Sequence, residues 1–145
     1  MTRDMKHDRQ LLMDHYTKPE NKGFNPNQKG YQKRLKSDSC ADELTIQILS
    51  HDNVIDEIKF EGSACVIATS SFDLLINLLK GKNYTEAMDL LTTYEDMIQT
   101  GNINEEKLQD LVIFSNVHKQ KNRWKCAQLG ANGVIEFINS ENIEK

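Results

Sequence analysis

Apolar positions along the chain change their spacing several times, and each change marks an element. From Asp4 to Tyr16 the residues Asp8, Leu11, Leu12, His15 and Tyr16 fall on one helical face, which predicts a helix. Pro19 ends it, because a proline disfavours helical backbone in the residue before it. Lys18 to Gly30 contains Pro19, Pro26, Gly23 and Gly30 and reads as a loop. The spacing then shortens to two, as in strands. Strands are predicted near Tyr31–Lys36, over Leu44–Leu49, where Leu44, Ile46 and Ile48 alternate with Thr45 and Gln47, and over Val54–Phe60. His51, Asp52 and Asn53 supply a short turn, so the last two strands form an antiparallel hairpin. Gly62 is expected to break the third strand.

Helical spacing returns after Ala64. Ala68, Phe72, Leu75, Ile76 and Leu79 form one stripe, and Gly81 stands where a left-handed cap residue belongs, so Cys65–Lys80 is expected to be helical. Further helices are predicted over Thr85–Gln99, stopping at Gly101, and over Glu105–Phe114, with Asn104 as N-cap. The last covers Lys125–Ile138, interrupted by Gly130 and Gly133 at some local cost. Strands in a run followed by helices in a run indicate an α+β fold, a small three-stranded antiparallel sheet with helices packed on one face.

The 145 residues suit one domain spanning 1–145, and no internal repeat is visible. The formal charge of −4 argues against a general nucleic-acid binder. The longest near-apolar stretch, Leu74 to Leu79, is far short of the roughly 20 residues of a membrane span. The opening MTRDMKHDRQ has no apolar core of a secretory signal, so a cytoplasmic location is expected.

Three cysteines, Cys40, Cys65 and Cys126, are an odd, widely spaced set unsuited to a disulfide framework. A lone cysteine is usually a small buried hydrophobe. Here all three fall at expected junctions, Cys40 before the second strand and Cys65 and Cys126 at helix starts. Helix N-termini favour anions, so Cys65 and Cys126 are expected to gain thiolate character, with Arg123 and Lys125 adding positive charge near Cys126. Thiolates both bind metals and attack sulfur. Asp42 follows Cys40 by two residues, and in an extended segment such residues point to the same side, so thiolate and carboxylate can meet one ion. Three thiolates and a carboxylate meet the tetrahedral preference of zinc, although closed structural sites use Cys and His.

The histidines are scattered. His51 reads as a turn residue and His15 as a packing residue beside Tyr16, and His118 alone lies on the approach to Cys126. The cluster Lys29, Lys33, Arg34 and Lys36 is most simply a solvated edge, with partner docking as the alternative. The acidic stretch Glu86 to Asp110 reads as solvated helix surface, and Trp124 as a packing residue or a shield for a metal site.

Five motifs in order resemble the U-type iron–sulfur assembly proteins, the IscU/NifU N-domain family. They are Asp14-His15-Tyr16 with Pro19, Asn21 and Gly23; Cys40-Ala41-Asp42; Phe60-Glu61-Gly62-Ser63-Ala64-Cys65 running on to Ser71; Lys80-Gly81-Lys82; and Arg123-Trp124-Lys125-Cys126-Ala127. The resemblance spans nearly the whole chain. Ala41 and Ala64 stand where the family has glycine, and Val66-Ile67 replaces a more polar pair. Two features resemble the SufU branch more than the IscU branch. The stretch near residues 84–101 looks like a SufU-type helical insertion, and Lys125 replaces a histidine ligand before the third cysteine. No proline-rich chaperone motif precedes Cys126.

This resemblance implies zinc held by Cys40, Asp42, Cys65 and Cys126. It implies a PLP-dependent cysteine desulfurase of the SufS type as partner, Cys40 as sulfur acceptor and Arg123 as charge support. The implied activity is a zinc-dependent sulfurtransferase that relays persulfide sulfur to a downstream iron–sulfur scaffold or apo-protein. The alternatives are an IscU-like scaffold that assembles a transient [2Fe–2S] cluster on the same ligands, or a domain whose zinc is purely structural.

Overall fold

The computed structural model describes residues 5–24, 30–36 and 42–143. Helix α1 (Met5–Thr17) leads to strands β1 (Tyr31–Lys36), β2 (Glu43–His51) and β3 (Val54–Ser63). Helices α2 (Val66–Leu79), α3 (Tyr84–Thr100), the short α4 (Glu105–Leu108) and the long α5 (Lys121–Ile143) follow, with a 3-10 segment over Gln109–Lys119 before α5. The sheet is antiparallel in the order β1-β2-β3. Helices cover one of its faces, as the spacing predicts.

The sheet forms because alternation puts Leu35, Leu44, Ile46, Ile48, Ile58 and Phe60 on one buried surface. Asp52 and Asn53 both take positive φ, 50° and 64°, which is the backbone of a tight hairpin turn and suits Asn and Asp. Asn21 to Gly23 lies beside β3. The Phe60 N–H donates to the Asn21 carbonyl and the Gly23 N–H to the Phe60 carbonyl, which protects the sheet edge.

Gly62 does not break β3. It pairs with Leu44 inside the ladder at φ +128°, and a Cβ there would stand 2.3 Å from the Glu43 carbonyl oxygen. Its role is close approach of two strands. Gly81 does cap α2 at φ +79°. In α5, added Cβ atoms would meet the Phe72 ring at 2.3 Å at Gly130 and Leu35 at 2.6 Å at Gly133. The glycines that interrupt the helical pattern let α5 lie close against α2 and the sheet.

The expected helix over Glu105–Phe114 is replaced. α4 stops at Leu108, Gln109 takes φ 51°, and a 3-10 segment continues to Lys119. Leu108, Leu111, Phe114 and Val117 recur every third residue and all are buried. That spacing suits three residues per turn rather than 3.6. The last helix starts at Lys121 rather than Lys125, so Cys126 sits in its second turn. Tyr16 turns out exposed while its neighbour His15 is buried. Among the described residues no helix is long and apolar enough to cross a membrane.

Candidate metal centre

The β2–β3 ladder ends at the pair Glu43 and Ser63. One residue beyond it on each strand, the chain reaches Asp42 on one side and Ala64-Cys65 on the other. The hairpin register therefore delivers a carboxylate and a thiol to the same end of the sheet. The Cys65 backbone N–H donates to Asp42 Oδ1 at 2.7 Å, a charge-assisted bond that fixes the carboxylate. Cys65 is the N-cap of α2, and its sulfur accepts from the Ala68 N–H at 3.4 Å. Cys126 arrives from α5. The ligand atoms of Asp42, Cys65 and Cys126 all lie within 4.8 Å of one another. Asp42 and Cys126 are buried, at 4% and 3% exposure, and Cys65 is partly open.

The electrostatics of Cys65 differ from the expectation. Burial pushes its thiol up and the neighbouring Asp42 carboxylate adds to that, outweighing the Ala68 N–H and the Cys126 sulfhydryl, which pull it down. The helix N-terminus alone does not make a thiolate here. Cys126 cannot draw on the α5 terminus either, since the dipole effect fades within the first turn. A bound cation inverts this balance, because coordination deprotonates a thiol outright.

Two sulfurs and a carboxylate oxygen are a set that zinc and iron both accept. Donors of one tetrahedral zinc stand about 3 to 4 Å apart, given bonds of roughly 2.0 to 2.3 Å. The three present donors are close to that spacing, so these residues fit a thiophilic metal. Cys40, the fourth member of the expected set, lies outside the described residues, as do Ala41 and Lys29. Ala64, placed where the family has glycine, does not need positive φ.

The other candidates are placed as follows. Arg123 is exposed in the first turn of α5, three residues before Cys126 and so on the same side of the helix. His118 stands apart from the ligand group, with Nδ1 2.6 Å from the Ser115 carbonyl. Trp124 packs against the core and donates its indole N–H to the Val117 and His118 carbonyls. Lys33 pairs with Glu136 and Arg34 with Glu43, so these two members of the basic cluster are engaged within the chain. Lys107 pairs with Asp89 in the acidic stretch.

One buried polar group escaped the sequence reading. Asp73, wholly buried in α2, accepts from the Glu20 and Asn21 backbone N–H groups and the Asn21 side-chain amide, and His15 Nδ1 stands 2.5 Å from its Oδ2. This network ties the end of α1 and the following loop to the middle of α2. The available signal was a single carboxylate inside an apolar helical stripe, which needs partners.

Known proteins resemble the chain throughout. It is 29% identical to the zinc-dependent sulfurtransferase SufU of Bacillus subtilis over 134 residues, 92% of this chain and 90% of that protein. It is 33% identical to the iron–sulfur cluster assembly scaffold protein IscU of Thermotoga maritima over 103 residues, 71% of this chain and 72% of that one. The crystal structure of the N-terminal part of a NifU-like protein from Brucella abortus superposes with a TM-score of 0.82 at 17% identity, covering 98% of this chain and all of that one, which establishes the shared fold. The sequence profile of the NifU-like N terminal domain matches residues 7–127, and the chain belongs to that family.

Proposed function

We propose that Asp42, Cys65 and Cys126, joined by Cys40, form a centre on which an iron–sulfur cluster is assembled and from which it is passed on. The family-level role, iron–sulfur cluster and sulfur-relay assembly, comes with membership. The observation that supports the scaffold reading is the mixed donor set, two thiols and a carboxylate held within 4.8 Å. Cysteine thiolates are the usual ligands of iron–sulfur clusters. A carboxylate is a harder and weaker partner for such a cluster, which suits a cargo that must leave. The cluster is substrate here rather than a resident cofactor. The Cys65 N–H holds Asp42 Oδ1, which keeps the carboxylate at the ligand group. The partial exposure of Cys65 leaves an open side for delivery. A PLP-dependent cysteine desulfurase is the proposed sulfur donor, with an apo-protein as the recipient.

A second reading, zinc-dependent sulfur relay, is favoured by two particular features. α3 occupies the stretch that resembles a SufU-type insertion, and Lys125 stands before Cys126. The similarity to the Bacillus subtilis sulfurtransferase also spans 92% of the chain. Zinc on these ligands would supply redox-inert charge that keeps the thiols deprotonated. In that reading the Cys40 thiolate attacks the outer sulfur of the desulfurase persulfide. The S–S bond breaks, the donor cysteine leaves as thiolate, and Cys40 carries the persulfide. Arg123 would balance the excess negative charge.

One experiment separates the two. The purified chain is analysed for metal, then incubated anaerobically with iron, cysteine and a cysteine desulfurase. Formation of a visible-absorbing cluster that transfers to an apo-ferredoxin supports the scaffold. Stoichiometric zinc, faster desulfurase turnover that Cys40→Ala abolishes, and no cluster support the relay and overturn the scaffold.

A further inference from the structure

A third helix, α3, supplies none of these ligands but packs against α5 just past Cys126. α3 places Tyr94 wholly inside the core. Its hydroxyl donates to the Ala127 carbonyl at 2.7 Å, on the residue that follows Cys126. The same oxygen meets the Ser71 hydroxyl of α2, six residues along the helix that Cys65 caps. The next α3 residue, Glu95, accepts from the Gln128 side-chain amide at 3.0 Å through Oε2. Two consecutive residues of α3 therefore hold the two residues that follow Cys126. The phenol works as a neutral donor, since burial drives its ionisation far above the ordinary tyrosine range.

We propose that Tyr94, supported by Glu95, is a positioning residue for the metal centre, setting the distance of Cys126 from Cys65 by joining α5 to α2 through Ala127 and Ser71. The inference rests on the reading of Asp42, Cys65 and Cys126 as metal ligands. Helices that slide past one another change the sulfur–sulfur distance directly, and Gly130 against the Phe72 ring allows α5 and α2 to come close without itself fixing their register. The Tyr94 hydroxyl, bonded to the Ala127 carbonyl and set beside the Ser71 hydroxyl, does fix it. Partners that orient metal ligands commonly change metal affinity by about tenfold or more when removed.

Cobalt(II) serves as the probe, because its thiolate charge-transfer and ligand-field bands report both the number of sulfur ligands and their geometry. The full chain is compared with Tyr94→Phe, which keeps the ring and removes the hydroxyl. Tyr84→Phe is the matched control. Its hydroxyl donates to Ser50 Oγ at 2.9 Å, at the other end of α3 and about 15 Å along the helix from Tyr94. Thermal stability of each metal-free protein is measured alongside. Tyr94→Phe should release cobalt to a chelator about tenfold faster than wild type, with shifted ligand-field bands. Tyr84→Phe should match wild type in both, even where its metal-free stability falls as far. Bands and release rates unchanged in Tyr94→Phe would overturn the proposal, as would equal changes in Tyr84→Phe. A wild-type chain that shows no thiolate–cobalt bands overturns the metal-ligand reading itself, and the proposal with it.

Discussion

Asp73→Asn tests the buried network that fastens the N-terminal region to α2. The substitution changes no shape. It replaces one carboxylate oxygen by an amide NH2 and removes the charge. Oδ1 accepts from the Asn21 backbone N–H and side-chain amide at 2.9 Å each, and Oδ2 from the Glu20 N–H at 3.0 Å with His15 Nδ1 at 2.5 Å. Turning the amide group toward Oδ2 costs least, because a neutral His15 can present a bare Nδ1 to it. The Glu20 N–H then faces a donor and is left unsatisfied, which costs about 1 to 3 kcal/mol. The bonds to Asn21 keep their geometry but lose charge assistance, worth roughly 1 kcal/mol in each case. The expected loss is about 3 to 5 kcal/mol, or a Tm lower by about 6 to 20 °C for a chain of this size. Urea and thermal unfolding followed by circular dichroism, with chelator present, measure it. Asn21→Ala removes the side-chain amide bond to Oδ1 from the other side and leaves the backbone one, so the double variant should lose less than the sum. A loss below about 0.5 kcal/mol, or strict additivity, would refute the reasoning.

Gly62→Ala should lower Tm and weaken cobalt binding together, since the new Cβ meets the Glu43 carbonyl at 2.3 Å and Asp42 adjoins it; wild-type cobalt affinity would show that the strand approach does not set the carboxylate. Gly130→Ala gains about 1 kcal/mol of helix propensity but drives a Cβ to 2.3 Å from the Phe72 ring, which also packs on Phe60. A net loss of about 1 kcal/mol in urea unfolding is expected, and a stabilised variant would contradict it. His51 is held above the ordinary imidazole range by its hydrogen bond to Asp56. A folded value above the unfolded one gives stability that is fully present below the unfolded value and lost as pH rises through the folded one. His51→Gln should therefore unfold at lower temperature than wild type near pH 5.5 and at the same temperature near about pH 9. A difference that persists at the alkaline end would contradict the sign.

The alternation of Leu44, Ile46 and Ile48 and the Asp52-Asn53 turn made the hairpin legible, because strand period and turn chemistry are local properties. The stripe from Ala68 to Leu79 and Gly81 made α2 legible for the same reason. The threefold spacing of Leu108, Leu111, Phe114 and Val117 was equally local, but it reads as an irregular helix until the 3-10 geometry is seen. Sequence order and residue chemistry picked out Cys40, Asp42, Cys65 and Cys126 as a candidate set, and the structure brings the last three together. Order and chemistry could not set the ionisation of Cys65, which depends on how deeply the folded chain buries it and on which groups face it. Nor could they show that Cys126 lies a turn inside its helix.

By itself the sequence determined where the sheet strands and the helices α1, α2 and α3 lie, which of their faces are apolar, and which side chains can bind a soft metal. Those properties are written in spacing and in functional groups. The tertiary structure decided the rest. The end of the β2–β3 ladder puts Asp42 beside Cys65, the Gly130–Phe72 contact lets α5 bring Cys126 to them, and Asp73 gathers donors from fifty residues away. Distances between segments remote along the chain follow from packing, and packing is a property of all the side chains at once.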